Sequence, residues 1–398
     1  LYDILVVGGG LGGASLGKAM AEHGARVLIV EREREFRDRV RGEGMHPWGV
    51  VEAERVGILK PLLDTCGHPA RWWNLYSGPR LVSRRDLVAT TASTVGALNF
   101  YHPAMQQVLL DAAAAAGAEI WRPAEVVEIS PGTPPAAVVR THHGPERLEA
   151  RLVVAADGRT SRARAWAGLS ARRDPECLAI AGVLHAGLSL PEDTVQMVGD
   201  WSRGEAMLIF PQGGGRFRSY LLYRRQGSLR PLAGDRHAGD FLAACKTAGA
   251  PPEWFTSAET IGPLASFDAA DRWVDHPYRA GVVLIGDAAA ASDPCFGCGL
   301  SLTLRDVRVL RDRLLAITDW DAAAHAYADE HDRYSGALRV IVRWMRELYY
   351  ERGPAADARR ARALPRLAQE PERAPDLRRA GPDAPSDEGA RGRFFGED

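Results

Sequence analysis

The chain has 398 residues, enough for a large core and two domains or lobes. Its 50 basic and 51 acidic side chains nearly cancel to a net charge of −1, which removes the electrostatic case for a nucleic-acid partner. No apolar run approaches the ~20 residues of a membrane helix, and five cysteines are too few, and odd in number, for a disulfide scaffold, so a reducing cytoplasm is the expected setting.

Residues 2–7 form a short apolar run without a basic leader, so they read as a strand rather than a signal peptide. The run ends in Gly8-Gly9-Gly10-Leu11-Gly12-Gly13, then 14–23 has helical spacing and 26–31 returns as an apolar strand ending at Glu31. That is β-α-β around a glycine fingerprint. Gly8 permits the tight turn, Gly10 lets backbone N–H groups approach a pyrophosphate, and Gly13 allows close packing of helix on strand. Glu31 can accept hydrogen bonds from both ribose hydroxyls of an adenosine and would repel a 2′-phosphate. The pattern therefore predicts FAD or NAD, not NADP, in this cradle.

Residues 100–116 read as a helix with Met105, Val108, Leu109 and Ala112 on one face. Strands are expected at 151–156, running into Asp157-Gly158, and at 281–285, running into Gly286-Asp287-Ala288-Ala289. Between 177 and 271 the pattern changes: 178–188, 194–198, 205–210 and 216–224 look like strands separated by Gly and Pro. They predict a mostly antiparallel sheet inserted into the nucleotide domain, with 71–91 adding strands to it. Helices are expected at 300–317 and 320–351, and the Pro-, Ala-, Arg- and Asp-rich remainder is predicted to be a disordered tail. The fold class is thus α/β. A Rossmann-like dinucleotide-binding domain (1–70, 96–173 and 272–352, with closing helices) holds an inserted, mostly antiparallel sheet (71–95 and 174–271), and 353–398 form the tail.

With Glu31, the three glycine- and aspartate-containing segments, in this order, resemble the group A flavoprotein aromatic hydroxylases, the 4-hydroxybenzoate hydroxylase-like family, over residues 2–350. The resemblance implies bound FAD, which makes the Rossmann-like domain FAD-binding and the inserted sheet the substrate domain. Asp157 and Asp287 match its Asp-Gly and Gly-Asp segments, with Asp287 on the ribitol hydroxyls. Pro294 would fix a loop against the ring. Gly299, Leu300 and Ser301 would open a helix aimed at the flavin pyrimidine, where the positive helix end stabilises the charge of reduced flavin. Arg39 and Arg41 match arginines beside the flavin and pyrophosphate, and Arg32 joins the cofactor set. Gln106 stands where many relatives have Arg, and Val126 would sit against the adenine.

On the substrate side, Arg218 matches an arginine that contacts the flavin. The positions of that enzyme's carboxylate-binding Arg and phenol-binding Tyr hold Gln212 and Met197, which argues against 4-hydroxybenzoate itself. Leu208, Phe210 and Pro211 form an expected apolar wall, and Met45, His46 and Trp48 are expected to line the same cavity. No nucleophile or general base is assigned; His46, Arg218 and Tyr220 are the side chains considered for the chemistry, His46 and Tyr220 as aids to phenol deprotonation.

The resemblance implies a monooxygenase. NADH or NADPH would reduce the flavin transiently, O₂ would add at C4a, and the hydroperoxide would hydroxylate or epoxidise an aromatic or polycyclic small molecule. The alternatives are a prenyl reductase-like enzyme of the same fold and a dithiol oxidase using Cys295 and Cys298, a pair read in preference as loop packing. Residues 199–203 do not match the halogenase Trp-x-Trp-x-Ile-Pro segment. Beyond Cys295 and Cys298 no second Cys or His pair has metal-ligand spacing, so a metal site is not expected, and the oligomeric state is left open.

Overall fold

The computed structural model describes residues 1–175, 178–224 and 232–398, so Cys177 lies outside the described residues. Tyr2–Val7 lies at the heart of a sheet, paired in parallel with Val27–Val30 on one side and with the end of the long strand Gly144–Ala155 on the other. Outside these run Glu119–Trp121 and Val282–Leu284, both parallel, and the antiparallel edge Tyr278–Arg279. Ile4, Leu5, Val6, Val153, Val154 and Val283 are fully buried. Continuous apolar runs of this kind are what a sheet covered on both faces requires.

The helices Leu11–Glu22, His102–Ala115 and Gly299–Ala316 cover one face, and Trp320–Tyr349 packs outside the last of them. Three strand ends therefore converge at the carboxyl edge of the sheet. They are Val7 leading into Gly8, Ala155 into Asp157, and Leu284 into Gly286. Ligands of open parallel sheets bind at that edge.

A second sheet is built from Leu178–Ala186, Arg216–Arg224, Glu205–Gly213 and Thr194–Asp200, each antiparallel to the next. Trp72–Ser77 then adds in parallel to Thr194–Asp200, followed by Arg80–Asp86 at the edge.

The tail departs from expectation. Residues 353–398 contain the helices Pro354–Gln369 and Glu388–Phe395. Phe394 and Phe395 are fully buried in a cluster with Trp344 and Leu348 of the long Trp320–Tyr349 helix. Arg360 also donates to the carbonyls of Leu348 and Glu351. Composition predicted disorder because large apolar residues are sparse here, but the few present converge on an apolar stripe left uncovered by the preceding helix. No described helix is long and apolar enough to cross a membrane.

Candidate functional site

Gly8 has φ +101°, and a Cβ there would lie 2.7 Å from the Ala156 carbonyl. A Cβ on Gly13 would lie 2.0 Å from the Gly8 carbonyl. Both positions exclude any side chain, so the turn and helix close as tightly as the fingerprint implies. Gly10 is the N-cap of the Leu11–Glu22 helix and offers no capping side chain, so the first N–H groups stay free for an anion. Glu31 is buried. Its Oε2 accepts from the Gly9 N–H at 2.8 Å and its Oε1 from the Glu33 N–H at 2.7 Å.

From this turn a cavity of about 1830 Å³ runs between the two sheets. Ligand sites commonly measure ~300–1,000 Å³, so this volume accommodates a dinucleotide and a second molecule together. Gly8, Gly10, Glu31, Arg32, Arg39 and Arg41 line one end, with Gln106, Val126 and Asp157. Asp287, Pro294, Gly299 and Leu300 line the middle. The Gly299–Ala316 helix has no side-chain cap, so its free N–H groups and positive end face the space. Burial pushes the Asp287 carboxyl above its ordinary range, opposed by Arg159 and Arg41. Asp157 divides its work: Oδ2 accepts from the N–H groups of Arg162 and Ala163, while Oδ1 has no protein partner.

The far end is apolar and lies against the second sheet. Met45, Met197, Leu208 and Phe210 wall it. His46 and Tyr220 also face the cavity. Nε2 of His46 lies 2.7 Å from the Phe296 carbonyl and so must carry its proton, leaving Nδ1 as an acceptor. Burial, with Arg378 nearby, lowers this imidazole to about 4, so it is neutral at pH 7. The Tyr220 hydroxyl donates to the Arg41 carbonyl, which holds the arginine loop against the sheet. In that loop Val40 is buried with φ +53°, a costly conformation for a β-branched residue. The Val40 N–H donates to Asp38 Oδ1 at 2.9 Å.

Six of the sequence-derived candidates do not line the cavity; Gly13 is one, and it packs against Gly8 and Val6 beneath the turn, the packing role expected of it. Arg218 is instead fully buried behind the wall, with Nε donating to Glu43 at 2.5 Å and Nη2 to Asp38 at 2.7 Å. Gln212 donates to the same Glu43, so it braces the loop rather than a substrate. Pro211 follows Phe210 in the strand and, by the alternation of side chains, faces away. Ser301 turns toward Gly49, whose missing side chain makes room for its hydroxyl. Trp48 packs in the main core, with Gly381 of the tail against its indole. In these other five cases the motif located the segment, while helical or strand phase decided the face.

Trp73, Leu75 and Arg378 also line the cavity and were not singled out from sequence. Alternation along Trp72–Ser77 could have pointed to Trp73 and Leu75. Nothing local could have pointed to Arg378.

Cys295 and Cys298 are both reduced and buried. Burial drives the Cys295 thiol far above its ordinary value and Cys298 to about 12. Neither is a thiolate at neutral pH. Among the described residues no cluster of His, Cys, Asp and Glu could hold a metal ion.

Residues 1–340 match the family described as FAD binding domain. A rifampicin monooxygenase from Streptomyces venezuelae is 29% identical over 330 residues, covering 80% of this chain and 65% of its own. A digeranylgeranylglycerophospholipid reductase from Thermoplasma volcanium is 29% identical over 226 residues, covering 54% of each chain. This chain thus spans less than two thirds of either relative. The solved structure of p-nitrophenol 4-monooxygenase from Pseudomonas putida DLL-E4 superposes with a TM-score of 0.77, covering 93% of this chain and 94% of the other. At 19% identity that is a likeness of fold. The chain belongs to the FAD-binding domain family, and its cofactor is FAD.

Proposed function

We propose that this member of the FAD-binding family is a monooxygenase that inserts one oxygen atom from O₂ into an aromatic or polycyclic small molecule, with NADH or NADPH as reductant. The observation that carries the reading is the continuity of one cavity from the glycine turn, past the uncapped Gly299–Ala316 helix, to an apolar chamber. Bound FAD supplies the redox chemistry between the nicotinamide and O₂.

The chain's own residues position and shield. The N–H groups behind Gly10 and the carboxylate of Glu31 hold the nucleotide end. Asp287 receives hydroxyls of the cofactor's ribitol. The amino end of the Gly299–Ala316 helix stabilises negative charge at the ring. Met45, Met197, Leu208 and Phe210 exclude water, which protects a reactive oxygen donor from wasteful hydrolysis. His46, neutral and with Nδ1 free to accept, would take a hydrogen bond from a ring hydroxyl, its lowered basicity leaving it a positioning group rather than a base.

The buried, protonated thiols speak against a dithiol oxidase. Reduction of an isoprenoid double bond is the second reading, supported by the similarity to the archaeal reductase. The test is anaerobic reduction of purified holoenzyme by NADPH or NADH in the presence of a library of aromatic molecules and polyprenyl lipids, followed by ¹⁸O₂. A product carrying one labelled oxygen is expected. An unlabelled product with a saturated bond would replace this reading with the reductase.

A further inference from the structure

Among the described residues of the apolar chamber, Arg378 presents a guanidinium with no carboxylate against it. Arg378, from the tail, lies with Cζ 4.0 Å from the centroid of the Trp73 ring. Its Nη2 is 4.0 Å from the Met197 sulfur, a contact too weak to satisfy a cation. Its Nε is shielded from solvent and has no hydrogen-bond partner. Among the described residues no carboxylate oxygen comes within 4.0 Å of this side chain. The nearest acid in sequence, Asp376, is already taken: Arg85 Nη1 and Nη2 grip its two oxygens at 2.9 and 2.7 Å. The same grip anchors the tail and fixes where Arg378 points.

A half-buried charge with no carboxylate against it has lost part of its hydration without compensation. Burial lowers this guanidinium to about 10, with Arg85 adding to the effect and Asp376 opposing it, so it remains charged at neutral pH. The cost is recovered when an anion arrives. The exposed edge of a guanidinium matches paired oxygens, while its face is already stacked on Trp73. Gln212 stands where the resemblance puts a carboxylate-binding arginine, and its side chain is occupied with Glu43. The positive charge comes instead from the opposite end of the chain.

We propose that Arg378 is the substrate-recognition residue of this chamber and selects aromatic molecules bearing an oxyanion conjugated to the ring system, an aryl carboxylate or an ionised enol. The proposal rests on the reading of the chamber as the aromatic substrate site. Arg378 acts in binding, and the oxyanion would be held against Trp73 and Met197 with the ring pointing toward the cofactor.

Binding to oxidised holoenzyme is read from the perturbed flavin absorbance, without reductant or turnover. The probes are 2-naphthoate with its methyl ester, and 2-hydroxy-1,4-naphthoquinone with its methyl ether. Wild type should bind at least one anion about tenfold more tightly than its neutral partner, the affinity ratio of one net ion pair worth ~1.4 kcal/mol. The preferred pair tells carboxylate from enolate. R378M, which keeps an apolar stem over Trp73, should bind both members of the pair equally, and R378K should keep part of the preference. Equal binding of anion and neutral partner by wild type overturns the proposal whatever the variants do. An anion preference retained in R378M assigns the charge to another residue and also overturns it. If no probe perturbs the flavin, the chamber is not the aromatic site, and the functional reading fails together with the proposal.

Discussion

Arg218 Nε donates to Glu43 Oε2 at 2.5 Å, and neither side chain has any solvent-accessible surface. Glu43 also accepts from Gln212 and from the His102 N–H, and Arg218 also reaches Asp38. This network clamps the arginine loop, with Arg39 and Arg41, onto the second sheet. Removing one partner of such a pair strands the other and costs about 3–5 kcal/mol. R218M should therefore lose roughly that much stability, and R218M/E43Q should lose clearly less than the sum of the single changes. A double-mutant cycle by urea unfolding checks this, and additivity within ~0.5 kcal/mol would show that the charges do not couple.

The glycine cradle gives a sharper outcome. G13V places carbon where the Gly8 carbonyl already lies, at 2.0 Å for the Cβ alone. The purified variant should carry little or no FAD. The flavin-to-protein absorbance ratio measures it, and full occupancy would mean that the turn can open without loss.

Acid sensitivity should arise partly at His185, which is fully buried with Nδ1 3.0 Å from the Ser219 hydroxyl. Burial, then Arg218, lowers it to about 4 in the folded chain, against ~6.5 when unfolded. Between these values the unfolded chain binds the extra proton, so stability falls as pH drops from ~6.5 toward 4, by up to about 3 kcal/mol. In H185N at saturating FAD, the loss of stability between pH 7 and pH 5 should be smaller than in wild type. Identical pH slopes would remove His185 from the account.

The thiols make a simple contrast. Because Cys295 and Cys298 are buried and protonated, native holoenzyme should react slowly with a thiol reagent at both positions and quickly only after unfolding. C295S/C298S should keep its nicotinamide-driven flavin reduction. Rapid native labelling of both, or loss of that flavin reduction in the double variant, would restore the dithiol reading.

The tail should behave as part of the fold. F394A/F395A removes two fully buried rings from the cluster with Trp344 and Leu348. Truncations of this kind cost about 3–5 kcal/mol per ring, more than a short terminal segment holds. Limited proteolysis should then cut near residue 353 while the remainder keeps FAD. Protection equal to wild type would mean that the helices are held by Arg360 and its neighbours instead.

The sequence by itself determined the nucleotide cradle. Its turns depend on backbone conformations that only glycine tolerates and on an acid at a strand end, so the constraint is local and written in adjacent residues. The apolar runs of the parallel strands were legible for the same reason, because a strand buried on both faces needs no partner to identify it. Which side chains of a located segment faced the cavity was decided in three dimensions. Ser301 and Trp48 lie beside lining residues yet turn into the core, and Arg218 meets carboxylates some 175 residues away in the chain. The tail marks the limit most clearly. Its composition could not reveal that a few rings would find the stripe on the Trp320–Tyr349 helix, nor that the Arg85–Asp376 pair would deliver Arg378 into the chamber. Those outcomes depend on surfaces that exist only once the remainder of the chain has packed.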